Sequence, residues 1–408
     1  MTGDNRLELD GTLLWVAERS LETIHGEFRA SVFRNLATRE IAVALLRGSV
    51  EGPAPLLCRV HSSCVTSEAF GACDCDCADQ LDAALEAIGR EGRGVLFYLM
   101  QEGRGAGLTA KARDRMLVQA SRERLSTFEA YDRLGLPPDP RRYDEVATMC
   151  RMLGIEAPLE LLTNNPDKVI LLEREKVRVS ATRPLQRATS PFNRHYLESK
   201  LRSGHALRGL EGEGARAEWP EPVVWFDPEA LSDRSSIVYS ACYWLPVRSD
   251  ASGGSAWFRL HLYYDLSCPI ASRSMGSERV VLSYRSHSSP RPDSPLLLRV
   301  QPEYVFERFS QRGDSARRSW DRTIRTFLAH GAGAAVFLPP EVAAGERAGQ
   351  VDAVTLSLLA EHAQGRPCRL VCDSLSADLD RAVEAGLPGF GVQLGPPVHL
   401  GPPVQLAR

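Results

Sequence analysis

Short apolar runs alternate with amphipathic segments along the first half of the chain. The apolar runs are rich in Val, Ile, Leu and Phe and predict strands over 27–33, 41–46, 56–60, 95–99 and 159–162. Apolar residues at helical spacing predict helices over 79–91 and 144–153, the first ended by Gly92. The run Thr163-Asn164-Asn165-Pro166 predicts a turn that opens a further helix. Because strands and helices alternate, we expect an α/β fold.

The pattern changes after residue 203. Gly, Pro and Glu become frequent up to about residue 235, which predicts a linker or surface segment. At the far end, two Gly-Pro-Pro-Val runs predict an extended, loosely held tail.

Composition excludes several classes of protein. The chain has 408 residues, enough for two domains, with 43% hydrophobic and 25% charged residues. A formal net charge of −3 gives no global attraction to nucleic acid or to a membrane surface. The chain carries no apolar run of about 18 residues, which a spanning helix needs, and its first residues are polar. We therefore expect a cytoplasmic protein whose ten cysteines are reduced.

Three cysteines stand out by their spacing, namely Cys64, Cys75 and Cys77. Thiolates clustered in this way bind a soft divalent ion, most often zinc. Three protein ligands leave a fourth position open for water, which is typical of a catalytic site and predicts a metal-dependent hydrolase. The alternative is a set of small buried thiols. A fourth ligand from Cys73 would close the site, so we expect Cys73 to be a bystander.

The second half of the chain repeats the first in weakened form. Residues 55–60, Pro-Leu-Leu-Cys-Arg-Val, match residues 295–300, Pro-Leu-Leu-Leu-Arg-Val. Other blocks follow in the same order: Phe28-Arg29 with Phe258-Arg259, 40–43 near 278–281, 94–97 with 333–336, Glu102 with Glu341, and 161–163 with 370–372 or one position later. Collinear matches favour an internal duplication over the general likeness of any two α/β halves.

The second copy lacks the chemistry of the first. The three cysteines correspond to Tyr304, Ser315 and Arg317, and His61 corresponds to Gln301. The stretch between about 103 and 143 is largely missing from it. We therefore interpret the second copy as a scaffold that is kept for packing and has no metal site.

Three motifs in order give the first half a family resemblance. The segment from Arg59 to Gln80, the run 101–108 (Gln-Glu-Gly-Arg-Gly-Ala-Gly-Leu) and the run 161–166 (Leu-Leu-Thr-Asn-Asn-Pro) resemble GTP cyclohydrolase II, over residues 20 to 207. That resemblance implies zinc-dependent opening of the guanine imidazole ring of GTP, the first step of riboflavin synthesis. Release of pyrophosphate and formate is implied with it, as is magnesium bound with the nucleotide.

The resemblance also implies roles for individual residues. Cys64, Cys75 and Cys77 match the zinc ligands, Asp139 the proton acceptor and Arg141 the nucleophile at phosphorus. The nucleotide-binding positions are Arg59, Val60, His61, Ser62, Ser63, Gln80, Glu102, Gly103, Arg104, Thr127, Thr163 and Lys168. Cationic side chains such as Arg59 and Lys168 suit a triphosphate, and a carboxylate such as Glu102 suits the hydrogen-bonding edge of guanine.

Four positions depart from the family pattern. Asp74 and Met100 stand where arginines are usual, Arg115 stands where a tyrosine of the late steps is usual, and Cys73 is an extra thiol. Without that tyrosine, an enzyme that stops at the formamidopyrimidine nucleotide becomes an alternative. Others are a cyclohydrolase of specialised metabolism on another purine nucleotide, and a nucleotide-binding regulatory protein without turnover.

These inferences give one domain plan. Residues 1–207 are expected to form the catalytic domain, 208–235 a linker and 236–408 a degenerate copy without a metal site. We expect a tandem duplication of a three-layer α/β domain with mixed sheets. The two copies would pair as a pseudo-dimer within one chain holding one zinc, and a further pairing of two chains stays open.

Overall fold

Two mixed eight-stranded sheets form the framework of the protein. The computed structural model describes residues 7–186, 189–210, 214–231, 236–249, 254–267, 277–286, 294–309, 316–338 and 351–400. The strands of the first half are β1 (Glu8–Asp10), β2 (Leu13–Thr23), β3 (Gly26–Asn35), β4 (Ile41–Arg47), β5 (Leu56–Ser62), β6 (Gly94–Leu99), β7 (Leu159–Leu162) and β8 (Val179–Arg183). Those of the second half are β9 (Glu229–Ala230), β10 (Ile237–Arg248), β11 (Ser255–Asp265), β12 (Glu278–Arg285), β13 (Leu296–Pro302), β14 (Ala332–Leu338), β15 (Cys368–Cys372) and β16 (Val398–His399).

Helices connect and cover these sheets, so the predicted α/β fold is confirmed. The helices of the first half are α1 (Val65–Glu68), α2 (Cys77–Glu91), α3 (Leu108–Ala120), α4 (Thr127–Arg133), α5 (Asp144–Met152), α6 (Asp167–Arg174) and α7 (Arg194–Arg202). Those described in the second half are α8 (Ala316–His330), α9 (Ala353–Ala363) and α10 (Ala377–Gly386). Short 3-10 helices span Gly103–Gly105, Val305–Arg308, Ser374–Ser376 and Leu387–Phe390.

The first sheet places its parallel strands where the motifs lie. Its strand order is β1-β2-β3-β4-β6-β5-β7-β8. The pairs from β1 to β4 and the pair of β4 with β6 are antiparallel, whereas β6, β5, β7 and β8 run parallel to one another. The strands β5 and β6 are buried almost throughout, as expected of central parallel strands covered on both faces. Helix α2 buries Leu81, Leu85 and Ile88 and ends at Gly92, whose φ of 69° is the left-handed conformation that caps helices. All the strands and helices predicted in this half are confirmed to within about two residues.

The second sheet repeats the strand order of the first. Its order is β9-β10-β11-β12-β14-β13-β15-β16 when read from the edge that corresponds to β1. A bulge interrupts the pairing of β2 with β3 between Trp15 and Ala17, and another interrupts β10 with β11 between Tyr239 and Ala241. In the first half, the segment between Leu99 and Asp144 contains α3 and α4. The corresponding segment of the second half, between Leu338 and Ala353, has far fewer residues.

Strand and helix registers refine two of the sequence matches. Leu45 pairs with Leu96, and Leu282 pairs with Ala335, so Leu45 corresponds to Leu282, one residue earlier than the sequence match places it. Gly94 and Gly333 pair with the equivalent residues Leu57 and Leu297, and α2 and α8 precede these glycines at the same distance in the chain. Cys77 therefore corresponds to Ala316, one residue before the Arg317 of the sequence match. Ser315 and Glu341 lie outside the described residues.

The two halves insert segments into each other's cores. Val65, Phe70 and Ala72 of the first half pack in the core between α8 and the second sheet. Conversely, Phe309 of the second half packs in the core between α2 and the first sheet, with Val305 and Phe306 against it. Two of the apolar cores therefore contain residues from both halves of the chain.

The segment predicted as a linker packs against the second half where it is described. Trp225 and Phe226 lie against the core of the second half, and Glu221 O accepts a hydrogen bond from Trp244 Nε1. The tail is not loose over its described part, because Val398 and His399 pair with β15. Within the described residues, the structure contains no helix with the length and apolar character needed to cross a membrane.

Candidate functional site

The candidate site lies at the carboxyl ends of the parallel strands β5, β6 and β7. His61 and Ser62 end β5, Glu102 follows β6, and Thr163 follows β7. Ligands of open α/β sheets bind in this position because loops and helix starts converge there. The three sequence motifs therefore meet at one edge of the first sheet.

The three motif cysteines form one cluster. The Sγ atoms of Cys64 and Cys75 are 3.7 Å apart, and all three Sγ atoms lie within 4.8 Å of one another. A zinc ion with bonds of about 2.3 Å to tetrahedrally placed sulfurs needs sulfurs roughly 3.8 Å apart, so the trio fits this metal. Among the described residues, no other group of His, Cys, Asp or Glu has metal-binding geometry.

Lys111 stabilises the ionised form of one sulfur in the cluster, that of Cys64. Its Nζ donates to Cys64 Sγ at 3.1 Å and to Glu102 Oε1 at 2.7 Å. Hydrogen bonds from Cys75 and Cys77, together with the charge of Lys111, hold the pKa of Cys64 well below its ordinary value. A deprotonated thiolate is the form that binds a metal.

A cationic cleft opens beside Cys77. Its enclosed volume is about 90 Å³. Five cationic side chains line it, and no Asp or Glu among the described residues does; the five are Arg59, Arg104, Arg141, Lys168 and Lys200. Four polar atoms of its walls, Arg59 Nε, His61 Nδ1, Ser62 Oγ and Arg104 Nη1, are buried without a hydrogen-bond partner. Unpaired hydrogen-bonding atoms, two of them on guanidinium groups, in a positive cleft suit an anionic, hydrogen-bonding ligand.

Nine of the seventeen predicted site residues line this cleft. They are Arg59, His61, Ser62, Cys77, Gln80, Arg104, Arg141, Thr163 and Lys168. The other eight lie behind the walls and are Val60, Ser63, Cys64, Cys75, Glu102, Gly103, Thr127 and Asp139.

Glu102 lies next to the cysteines and not on the cleft wall. Its Oε2 accepts from the backbone N–H of Val65 at 2.7 Å, and its Oε1 accepts from Lys111. Burial raises the pKa of this carboxyl. Both oxygens are engaged, so recognition of a base by Glu102 requires these contacts to rearrange.

Gly103 and Thr127 support the cleft from behind. Thr127 Oγ1 accepts a hydrogen bond from Arg104, whose guanidinium lies 3.9 Å from the ring centroid of Phe128. Gly103 O accepts from Tyr131 at 2.7 Å, and the φ of Gly103 is 57°, a conformation that favours glycine. Together they fix the direction of Arg104.

A hydrogen-bonded chain of side chains runs along one wall. Arg59 Nη2 donates to Gln80 Oε1 at 2.7 Å, and Gln80 Nε2 donates to Asp76 Oδ2 at 2.6 Å. Asp76 in turn accepts from Lys200 Nζ at 2.8 Å. Since Arg59 Nη1 also donates to Leu162 O, its guanidinium is held in one orientation.

Asp139 and the cleft residue Arg141 form a two-point ion pair. Arg141 Nε donates to Asp139 Oδ1 at 2.7 Å, and Arg141 Nη2 donates to Asp139 Oδ2. Burial alone would raise the pKa of Asp139, but the hydrogen bonds and charge of Arg141 lower it. The carboxylate is therefore ionised and in contact with the guanidinium.

The amine of Lys168 is buried among other cations. Burial, and then the charges of Arg59 and Arg141, lower the pKa of Lys168 well below its ordinary value. Its Nζ donates to Val60 O at 2.9 Å. An arriving anion would raise this pKa again, because it favours the charged form of the amine.

Helix α7 and the residues after it contribute wall residues that the sequence did not reveal. Tyr196, Lys200, His205 and Leu207 line the cleft. Burial lowers the pKa of His205 to about 4, so this imidazole is neutral near pH 7. Tyr196 and Lys200 are four residues apart and share a helix face, but no motif singles them out.

The positions that depart from the family pattern are accommodated in the structure. Asp74 and Arg115, two of the four, form a partly buried ion pair with Nε and Oδ2 3.4 Å apart. The guanidinium of Arg115 also lies 4.8 Å from the ring centroid of Tyr196. Cys73 donates to Pro246 O, away from the cluster, and burial raises its pKa to about 11. Met100 packs against the core beside α2.

Comparison with known proteins matches the first half of the chain. The family model described as GTP cyclohydrolase II matches residues 15–184. A GTP cyclohydrolase-2 of Azotobacter vinelandii is 44% identical over 204 residues, which cover 50% of this chain and 96% of that protein. A GTP cyclohydrolase-2 of Escherichia fergusonii is 42% identical over 197 residues, covering 48% and 98%.

Longer relatives match over the same part of the chain. A riboflavin biosynthesis protein RibBA of Bacillus cytotoxicus is 44% identical over 191 residues, and the chain spans 47% of its length. A solved structure titled RibBX, a two domain 3,4-dihydroxy-2-butanone 4-phosphate synthase from A. baumannii, matches at 16% identity over 44% of this chain and 41% of its own. Its TM-score of 0.26 is too low to bear on the fold. The identity to proteins that the chain covers almost completely is decisive: through its first half, the chain belongs to the GTP cyclohydrolase II family.

Proposed function

We propose that the chain is a hydrolase that opens the guanine imidazole ring of GTP and releases pyrophosphate. One observation carries the proposal. A zinc-sized cluster of three cysteines opens, at Cys77, onto a cleft that, within the described part of the chain, is lined by five cationic side chains and no carboxylate. A soft metal beside an anion-binding cleft is what hydrolysis of a nucleotide's base requires. The relatives named GTP cyclohydrolase-2 support GTP as the nucleotide.

Zinc is the metal we assign to Cys64, Cys75 and Cys77. When bound, it would supply Lewis-acid polarisation of a water molecule and of the heterocycle. Lys111 keeps Cys64 ionised, and Glu102 holds Lys111 in place. The fourth direction is left to solvent and substrate, because Cys73 is bonded to the second half.

The triphosphate is assigned to the cationic walls. The donors of these walls are the side chains of Arg59, Arg104, Arg141, Lys168 and Lys200. We expect Mg²⁺ to enter with the phosphate oxygens, since the residues described for the cleft wall include no carboxylate. The unpaired Ser62 Oγ and His61 Nδ1 supply neutral contacts to the same ligand.

Release of pyrophosphate is assigned to the pair Asp139 and Arg141. In this step a guanidinium nitrogen of Arg141 bonds to the α-phosphorus, the bond from that phosphorus to pyrophosphate breaks, and the guanidinium proton passes to Asp139. The ion pair already joins the two groups in the required order. Water then hydrolyses the phosphorus–nitrogen bond and restores the pair.

The final product is a separate question, and one contact bears on it. Arg115 is directed to Asp74 and lines no part of the cationic cleft. It therefore adds no group for the second hydration, the one that expels formate, which favours the formamidopyrimidine nucleotide as a second candidate product. Tyr196, which does line the cleft, is the residue available for that step if formate is released.

The second half is proposed to be a degenerate copy of the first. The support is the common strand order, the bulges at Trp15 and Tyr239, and the equivalent ladders. On this basis residues 1–207 form the catalytic unit, 208–235 the connection and 236–408 the copy without a metal site. The reciprocal insertion of core segments makes the chain a pseudo-dimer with one active site.

Product analysis of the purified full chain tests the proposal. We expect one zinc per chain, and with GTP and Mg²⁺ one pyrophosphate per GTP consumed. Mass spectrometry of the nucleotide product and a formate assay decide between the two candidate products, because equal formate and pyrophosphate exclude early arrest. If zinc is bound but GTP is left intact, other purine nucleotides are tried. A nucleotide that binds without turnover would favour a regulatory protein.

A further inference from the structure

Glu68, at the end of α1, connects two parts of the site. Its Oε1 accepts from the backbone N–H of Cys64 at 3.1 Å and lies 2.9 Å from Nε2 of His61. Its Oε2 accepts from the hydroxyl of Tyr98. The side chains of Glu68 and His61 are 1% and 2% exposed. The orientation of a cleft residue and the backbone of a metal ligand therefore depend on one buried carboxylate.

The cation nearest this carboxylate comes from the other half of the chain. Arg308 Nη1 lies 3.8 Å from Glu68 Oε2 and donates to Tyr98 OH at 2.7 Å. Arg308 is itself fixed by Glu303, to which Nε and Nη2 donate at 2.7 and 2.9 Å. Its side chain is 2% exposed. Buried charges of this kind keep their positions only when they are paired and hydrogen-bonded.

Glu68 and Arg308 occupy equivalent positions in the two halves. Each ends the short helix after the matched strand, α1 after β5 and the 3-10 helix Val305–Arg308 after β13. Because the halves insert these segments into each other, the two positions face one another across the contact. Two first halves facing in this way would bring Glu68 against Glu68, and two second halves would bring Arg308 against Arg308. Only the pairing of a first half with a second half joins opposite charges.

We propose that Arg308 is a positioning residue of the active site, supplied by the half that has no chemistry of its own. It holds Glu68 and Tyr98, and through Glu68 it fixes the His61 ring and the backbone N–H of Cys64. The inference rests on the proposed function for its kinetic consequences, but the geometry it describes exists without substrate. It also gives a reason for the second half to be kept: the site lacks a wall support without it.

The test replaces the guanidinium in the full chain. Arg308→Met removes the charge, Arg308→Lys keeps it, and Arg299→Met is the matched control. Arg299 is an equally buried arginine whose contacts, Val371 O, Asp380, Ser319 and Ser376, all lie in the second half. Three readouts are compared with the thermal midpoint: the absorption spectrum after Co²⁺ replaces the metal, hydrogen exchange of the peptide that contains Cys64, and kcat and KM for GTP.

Arg308→Met is expected to alter the Co²⁺ spectrum, speed exchange at Cys64 at least tenfold and lower kcat/KM at least tenfold. Arg308→Lys should recover part of each, and Arg299→Met should lower only the thermal midpoint. If Arg308→Met and Arg299→Met behave alike in all three readouts, Arg308 is merely structural and the inference is overturned. A wild-type chain that leaves GTP intact would refute the proposed function alone, since metal spectrum and amide exchange still report on Arg308.

Discussion

Arg59 and Arg299 are equivalent residues that have taken opposite roles. Each donates from Nη1 to a carbonyl of the neighbouring parallel strand, Leu162 O at 2.8 Å and Val371 O at 3.0 Å. Arg299 then meets the carboxylate of Asp380 at 3.2 Å, whereas the other acceptor of Arg59 is the neutral Gln80. The first half therefore leaves a positive charge for a ligand at the position where the second half has neutralised it.

The metal cluster gives the first prediction. Cys77→Ser should lower zinc content to well under one ion per chain and reduce turnover of GTP by at least about 100-fold, because a hydroxyl is a poor ligand for zinc and only two thiolates remain. Metal analysis after dialysis and the pyrophosphate assay check this. Cys73→Ser is the control, since Cys73 contacts Pro246 O and Ser255, and it should keep one zinc.

The wall residue Lys200 gives the second prediction. Lys200→Met should weaken GTP binding about 10-fold and leave zinc content unchanged, because one of five cleft cations is lost while the cysteines keep their contacts. The same variant leaves Asp76 without its cation partner, so a modest loss of stability is expected as well. Arg202→Met, an exposed change on the same helix, serves as control for titration of GTP into the protein. Equal affinities of the two variants would remove Lys200 from the binding site.

Sequence reasoning found the parts of the site whose residues are close together in the chain. Cys64, Cys75 and Cys77 lie within one segment, and their spacing already predicts a metal-binding cluster. The strands β5, β6 and β7 were predicted because central parallel strands are continuous apolar runs. The polar residues that follow such strands must then meet at one edge of the sheet.

The residues that sequence reasoning missed are determined by tertiary packing. Tyr196 and Lys200 reach the cleft only because α7 folds back over the start of α2, and an amphipathic helix carries no sign of what it will cover. Glu68 and Arg308 lie on segments that each half inserts into the core of the other. Their contact joins residues far apart in the chain, so the sequence alone could not predict it. The contacts of Glu102 with Lys111 and the Val65 N–H show the same limit.

The buried amine of Lys168 gives a prediction about pH. Its folded pKa is lowered by burial and by Arg59 and Arg141, whereas the unfolded value is ~10.4. Between these two values the unfolded chain binds more protons, so wild-type stability rises with pH through that window. Lys168→Met removes this term, so its stability relative to wild type should be highest near pH 7 and should fall toward pH 10.

Urea unfolding of both zinc-loaded proteins at several pH values measures that difference. The same variant should bind GTP more weakly, because the charged amine is lost as a partner for the phosphates. A difference in stability that is constant over the pH range would show that the amine does not carry the penalty.

The shared core between the halves gives the last prediction. Phe70 lies with its ring centroid 4.1 Å from that of Phe337, and Phe70 O accepts from Trp320 Nε1 at 2.9 Å. Because this cluster contains residues of both halves, the chain should unfold in one calorimetric transition.

Phe70→Ala should lower the free energy of unfolding of the whole chain by about 3–5 kcal/mol and shift that single transition. Phe390→Ala, at an exposed ring of the second half, should change stability by less than ~0.5 kcal/mol. Two separate transitions in the wild-type chain, with only one moved by Phe70→Ala, would mean that each half folds independently and that the pseudo-dimer contact does not stabilise the active half.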